Sequence, residues 1–173
     1  YGFFLSFYMV QLSKIKKLSY NKTRQKWITK VRFYKMKFKF DLHTHTIASG
    51  HAYSTVQEMA KAAADRGLEL LGITEHAKGI PGTCDEIYFH NMRIIPRKMY
   101  GIDLMFGAEI NIIDYDGGLS MDAALIEKTL DIRIAGIHLP CYEVGSVAQN
   151  TSAYVKAIEN PMIDIISHPD DAR

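Results

Sequence analysis

Acidic side chains are missing altogether from the first 40 residues of this 173-residue chain, a stretch that holds 11 of its 21 lysines and arginines. All 19 aspartates and glutamates follow from Asp41 onward. The formal charge of +2 therefore hides a basic opening and an acidic remainder, and only the opening, residues 1–40, is suited to nucleic acid or another polyanion. Cysteine is scarce: Cys84 and Cys141 stand far apart with no CxxC spacing. That argues against a disulfide framework and a thiolate zinc site, and makes a reducing, cytoplasmic compartment the expected one. Long apolar runs are lacking too. Tyr1 to Leu12 is apolar but shorter than the roughly 20 residues of a bilayer span, and its cations follow it instead of preceding it, so no membrane span and no secretion signal are expected. With 47% apolar residues, wholesale disorder is excluded.

Residues 1–35 scatter lysines among aromatics without the Gly and Pro punctuation of a packed domain. They are expected to be a basic extension outside the fold, with Met36 as a candidate natural start; the alternative is a basic arm for an anionic surface. A domain is expected over residues 36–173. Because the chain opens on Tyr1 and stops at Arg173 just past an apolar run, both ends are expected to be cut. Within the domain, Lys37–Leu42, Leu70–Thr74, Leu104–Ile110, Ile132–Ile137 and Met162–Ser167 are short β-branched or aromatic runs that predict strands buried on both faces. Between the first two, Ser54-Thr55-Val56-Gln57 has capping-box spacing, and Val56, Met59, Ala60 and Ala63 form a helical stripe ended by Gly67. Further helices are expected from about Asp122 to Leu130 and from Asn150 or Thr151 to Pro161, whereas Pro96 leaves Tyr88–Tyr100 ambiguous. Strand and helix in alternation predict an α/β fold with a parallel sheet, open or closed.

The chemistry is written at the strand ends, where parallel α/β folds gather their ligands. They read Asp41-Leu42-His43-Thr44-His45, Thr74-Glu75-His76, Ala108-Glu109-Ile110-Asn111, Gly136-Ile137-His138 and Ser167-His168. With only seven histidines in the chain, four of five strand ends carrying one is not a chance arrangement. Strand alternation puts His43 and His45 on one face, aimed at one point. Imidazole with carboxylate suits zinc, manganese or iron. Glu109 lies in an apolar run, where an ionised carboxylate is costly unless paired or bound to metal, and its two oxygens could bridge two ions. Arg93 is a candidate phosphate contact, because a guanidinium matches two phosphate oxygens, although a surface ion pair explains it equally well.

These segments, together with His51-Ala52-Tyr53-Ser54-Thr55, Ile73-Thr74-Glu75-His76, Asn91-Met92-Arg93-Ile94 and Ile165-Ile166-Ser167-His168-Pro169, resemble the PHP (polymerase and histidinol phosphatase) superfamily, and most of all its small YcdX-type phosphatases. The resemblance covers residues 37–173. It implies a distorted (β/α)7 barrel of PHP type, here truncated after about five strands, with three divalent metal ions, zinc or manganese with iron as the further option, at its C-terminal mouth. His43, His45 and Glu109 would hold the first ion; Glu109, His138 and His168 the second; His51 and His76 the third. His51 and His76 gain this role from the resemblance alone. A later Asp-x-His that completes the first and third sites in the family lies outside the chain, so little activity is expected of these residues by themselves. Glu75 stands where the family commonly has Asp, a change expected to be minor.

The function so implied is metal-dependent hydrolysis of small phosphate monoesters by a metal-activated water, with Glu109 as the metal bridge. The alternatives are a PHP module that accompanies a polymerase, a nuclease, or a non-catalytic interaction domain. The acidic character after Asp41 disfavours nucleic acid as a partner except through the basic 1–40 arm. Substrate identity, metal and oligomeric state are not legible in the residues.

Overall fold

The computed structural model describes residues 38–170, together with two short strands, β1 (Tyr8–Val10) and β2 (Phe33–Lys35), which pair antiparallel. The remainder of the basic segment expected over 1–35 lies outside the described residues. The chain divides into two compact units, 1–38 and 39–173. No strand is predicted in the first unit; three residues on each side are too few to register as a periodic run.

The second unit runs β3 (Phe40–Thr44), α1 (Val56–Asp65), β4 (Leu70–His76), α2 (Glu86–Asn91), β5 (Lys98–Met99), β6 (Ile102–Ile112), α3 (Ala123–Thr129), β7 (Ile132–Ile137), α4 (Val147–Glu159) and β8 (Ile165–Ile166). Each predicted apolar run contributes a strand. The strands lie in the order β3-β4-β6-β7-β8, all parallel, with the two-residue β5 antiparallel to the start of β6. The result is an α/β fold whose sheet curls into a half-barrel. At its centre β4 and β6 run in register from Leu70 opposite Asp103 to His76 opposite Glu109. Gly107 permits the close approach of β7: a Cβ there would stand 1.9 Å from the Ile132 carbonyl oxygen.

Alternation sorts the two faces of the sheet. On β6, Leu104, Phe106, Ala108 and Ile110 join Leu71 and Ile73 of β4 in one buried cluster with Ala60 and Ala63 of α1, Phe89 of α2, and Leu125 and Ile126 of α3. Glu109 and Asn111 point the other way. A second cluster seats Ala153 and Ala157 of α4 against Ile112, Ala135 and Tyr142. Helices α1, α3 and α4 begin where side chains satisfy their first amides. On α1 the box is closed by Thr55 and Glu58, one residue later than the Ser54–Gln57 spacing predicts, because the Ser54 carbonyl is engaged by Ile47 N at 2.9 Å. On α4 a Ser146–Gln149 box starts the helix a turn before the predicted Asn150. The ambiguous Tyr88–Tyr100 stretch resolves into the end of α2, a 3-10 turn at Met92–Ile94 and β5, with Pro96 in the break.

Candidate metal centre

Every strand of the parallel sheet delivers a side chain to one end. Glu109, 1% exposed, sits on β6 directly opposite His76 of β4. His138 follows β7 by one residue, and His168 follows β8 by two. His168 holds a positive φ of 27°, a strained conformation for a residue with a Cβ. Beside it, Gly136 leaves room: a Cβ there would stand 2.1 Å from Ser167 Oγ and 3.2 Å from the His168 ring. His43 lies within β3 at a register shift between Asp41 and Thr44, His45 just beyond the strand, and His51 after the 3-10 turn Ile47–Ser49.

These side chains close on a single carboxylate. Oε2 of Glu109 lies 3.1 Å from His43 Nε2, 3.3 Å from His45 Nε2 and 3.1 Å from His76 Nδ1. Oε1 lies 2.9 Å from His168 Nε2 and 3.3 Å from His138 Nε2. The Nε2 atoms of His43 and His45 stand only 3.2 Å apart. His51 joins through its neighbours, its ring 4.7 Å from that of His76 and 5.4 Å from that of His45. Donor atoms fall into three overlapping groups that could each hold an ion: His43, His45 and Glu109; His76, Glu109 and His138; His45, His51 and His76. All seven predicted metal ligands line one open cavity of about 660 Å³, whose lining also includes Ile80, Leu139, Tyr142, Val144 and Tyr154.

The donor set fits divalent cations. Five imidazoles face one carboxylate that has about four lone-pair sites, and five protonated rings in one spot would repel one another. His76 Nδ1 and both ring nitrogens of His138 are buried without a hydrogen bond. Burial pushes His76 down, and the neighbouring His45 and His138 add to the effect against the pull of Glu109, which favours the neutral ring. Burial alone would raise the Glu109 carboxyl; His138, His168, His43 and His45 outweigh it and hold Glu109 ionised, well below the usual carboxylate range. Neutral imidazole and ionised carboxylate are the states in which these groups ligate a metal.

A second carboxylate escaped the sequence pattern. Glu75 is fully buried on β4, on the face of Leu71 and Ile73 and opposite to that of His76. One oxygen accepts the Thr46 hydroxyl; the other accepts Thr46 N at 3.1 Å and Ser49 Oγ at 2.6 Å. Ser49 Oγ in turn lies 2.9 Å from His45 Nδ1 and accepts His76 N at 3.0 Å. Tyr88 backs this group; burial, reinforced by the charge of Glu75, pushes its phenol up to about 12. Arg93 is placed elsewhere, on the exposed Met92–Ile94 turn with Nε donating to the His90 carbonyl at 3.1 Å, and it is absent from the cavity lining. Among the described residues, no helix is long and apolar enough to cross a membrane.

A parallel α/β sheet with six imidazoles and a buried carboxylate at the ends of its strands defines the class: a half-barrel carrying a candidate multinuclear metal centre. The chain belongs to the PHP domain family, whose model matches residues 41–166. It is similar to a probable phosphatase of Clostridium novyi, 46% identical over 134 residues that cover 78% of this chain and 54% of the relative. A probable phosphatase of Acetivibrio thermocellus is 46% identical over 134 residues, covering 78% and 55%, and one of Caldanaerobacter subterraneus is 44% identical over 136 residues, covering 78% and 53%. The chain spans about half the length of the curated relatives it matches.

Proposed function

We propose that this chain carries the metal centre of a metal-dependent phosphatase of the YcdX-type branch, one that hydrolyses small phosphate monoesters. The observation that supports it is the convergence of five imidazole nitrogens within 3.3 Å of the two Glu109 oxygens. The relatives named probable phosphatases favour the same chemistry. Bound divalent ions, three in the complete protein, with zinc, manganese or iron suited to these ligands, would supply an activated water near neutral pH and stabilise charge on the phosphoryl oxygens. Glu109, held ionised, has one oxygen toward His43, His45 and His76 and the other toward His138 and His168, as a bridging ligand requires. Imidazoles ligate a metal in their neutral form and would leave the total charge positive once ions bind, which would draw a phosphate dianion. Arg93, on its exposed turn, is no part of this arrangement. Residues 1–35 lie outside it in sequence, and we assign them no role in catalysis.

The test is metal analysis and hydrolysis of para-nitrophenyl phosphate by the full-length protein, with single-stranded DNA as the competing substrate. Two to three bound ions and monoester turnover are expected. Cleavage of DNA in preference to the monoester would instead favour a nuclease, and neither activity in a metal-loaded protein would favour an interaction module.

A further inference from the structure

The hydrogen bonds around Ser49 admit only one arrangement of protons. A serine hydroxyl has one hydrogen to give and two lone pairs to receive. Its three neighbours are Glu75 Oε2 at 2.6 Å, His76 N at 3.0 Å and His45 Nδ1 at 2.9 Å. The backbone amide of His76 can only donate. Glu75 Oε2 already takes the amide hydrogen of Thr46 and faces Ser49 as an acceptor, so the serine hydrogen must go to it; two bare oxygens at 2.6 Å would repel. The remaining lone pair of Ser49 then requires a hydrogen from His45, on Nδ1. A neutral His45 with its hydrogen on Nδ1 has its lone pair on Nε2, the atom 3.3 Å from Glu109 and 3.2 Å from His43, where a cation among them would take it; a ring that also donates to Glu109 carries both hydrogens and keeps the one on Nδ1.

We propose that Glu75 is a positioning residue that, through Ser49, locks His45 in the tautomer whose Nε2 lone pair faces the metal centre, and that the same serine pins the backbone of His76. The proposal rests on the metal function proposed above. Glu75 cannot itself ligate there, since it projects from the opposite face of β4 to His76 and its oxygens are taken by Thr46 and Ser49. All of Glu75, Ser49 and Thr46 are at most 1% exposed, so no water competes freely for these bonds. Such outer partners orient imidazole ligands and raise their affinity for metal.

The experiment reads the tautomer directly, without metal and without activity. Two-bond proton–nitrogen NMR spectra of the metal-free, full-length protein at mildly alkaline pH, with His45 assigned from a His45→Gln variant, are expected to show hydrogen on Nδ1. An Nε2–H form in the wild type overturns the proposal. In Ser49→Ala, with folding checked by cooperative thermal unfolding, His45 is expected to become a tautomer mixture and Zn²⁺ affinity to fall about 10- to 100-fold. In Glu75→Leu the serine is free to donate to His45, which should convert it to the Nε2–H form although Ser49 is still present. A folded variant of either kind that keeps the wild-type tautomer and affinity overturns the proposal; should Glu75→Leu fail to fold, the wild-type and Ser49→Ala spectra decide. A wild type with the Nδ1–H form that takes up no Zn²⁺ overturns the metal function, and with it the purpose of the relay, while leaving the hydrogen-bond assignment standing.

Discussion

The two ends of the parallel sheet solve opposite electrostatic problems. At the end where the strands begin, charges are paired one to one: Lys39 with Glu69, Lys98 with Asp103, Arg97 with Asp131 and Arg133 with Asp164. The Arg133 guanidinium meets both oxygens of Asp164, at 2.8 and 2.7 Å, and Arg97 lies 4.8 Å from the Phe106 ring centre. These pairs are partly or fully open to water and need nothing further. At the end where the strands finish, one ionised carboxylate, 1% exposed, is shared by five imidazoles instead of being paired with one cation. One end is complete as built; the other holds groups that could take an added cation. In parallel α/β folds stability resides at the first end and chemistry at the second, and the charge pattern of this chain separates them residue by residue.

Removing the centre of the second end should have the largest effect. Glu109→Gln keeps the shape but deletes the anion shared by every donor group around it, and metal affinity is expected to fall by at least about 100-fold, with phosphatase activity lost alongside. Metal analysis after gel filtration, beside His43→Ala, checks it; equal metal content in wild type and both variants would refute the assignment. Chelation sharpens the contrast. Ions that bind only the folded protein stabilise it by about 4 kcal/mol at a thousand times Kd, so a chelator should lower the melting temperature of the wild type and leave that of Glu109→Gln unmoved. Gly136→Ala comes next: its methyl would press on Ser167 Oγ and the His168 ring, and a cost of about 1–3 kcal/mol is expected in denaturant unfolding, with weakened metal binding.

At the opposite end the effects should be small and independent of metal. Asp164→Asn is expected to cost about 1 kcal/mol or less, because the pair is partly exposed, and to leave metal content unchanged. The pH dependence has a definite sign. Hydrogen bonds from Arg133 hold the Asp164 carboxyl below its ordinary value, so its contribution is complete above the unfolded-state value of about 3.9 and is lost as pH falls through the lower folded value. Urea unfolding of wild type and variant should therefore differ near pH 7 and converge toward pH 2. The smallest effect is expected from deleting residues 1–35, which hold none of the seven candidate ligands; activity and metal content of the full-length protein should not change.

The strand ends were legible because their signal is local. An apolar run followed by His or Glu is visible in sequence, and parallel neighbours must bring such ends together, as His76 and Glu109 do across a single register pair. His51 was not legible from its polar loop, since its approach to His76 depends on the turn after β3. Glu75 was hidden for a related reason. Alternation tells that it faces away from His76, but its partners Thr46 and Ser49 come from a loop folded back by the bond from Ile47 N to Ser54 O. Arg93 differs in the other direction: its chemistry suits a phosphate, but α2 stops at Asn91 and leaves it on the exposed Met92–Ile94 turn, outside the cavity lining. The helix starts shifted by a residue or a turn because overlapping Ser/Thr and Glu/Gln spacings each offer a cap, and the tertiary contacts choose.

The unequal lengths of the strands also set a schedule. Glu109 and His76 ride on a seven-pair ladder at the middle of the sheet, whereas His168 hangs from β8, joined to β7 through two pairs and held at a left-handed backbone angle. Local opening follows the weakest pairing, so amide exchange should be slowest along β4 and β6 and fastest around residues 165–168. Glu109 and His76 would then be the lasting part of the cluster, and His168, although its nitrogen is the nearest to the carboxylate, the part that local opening releases first.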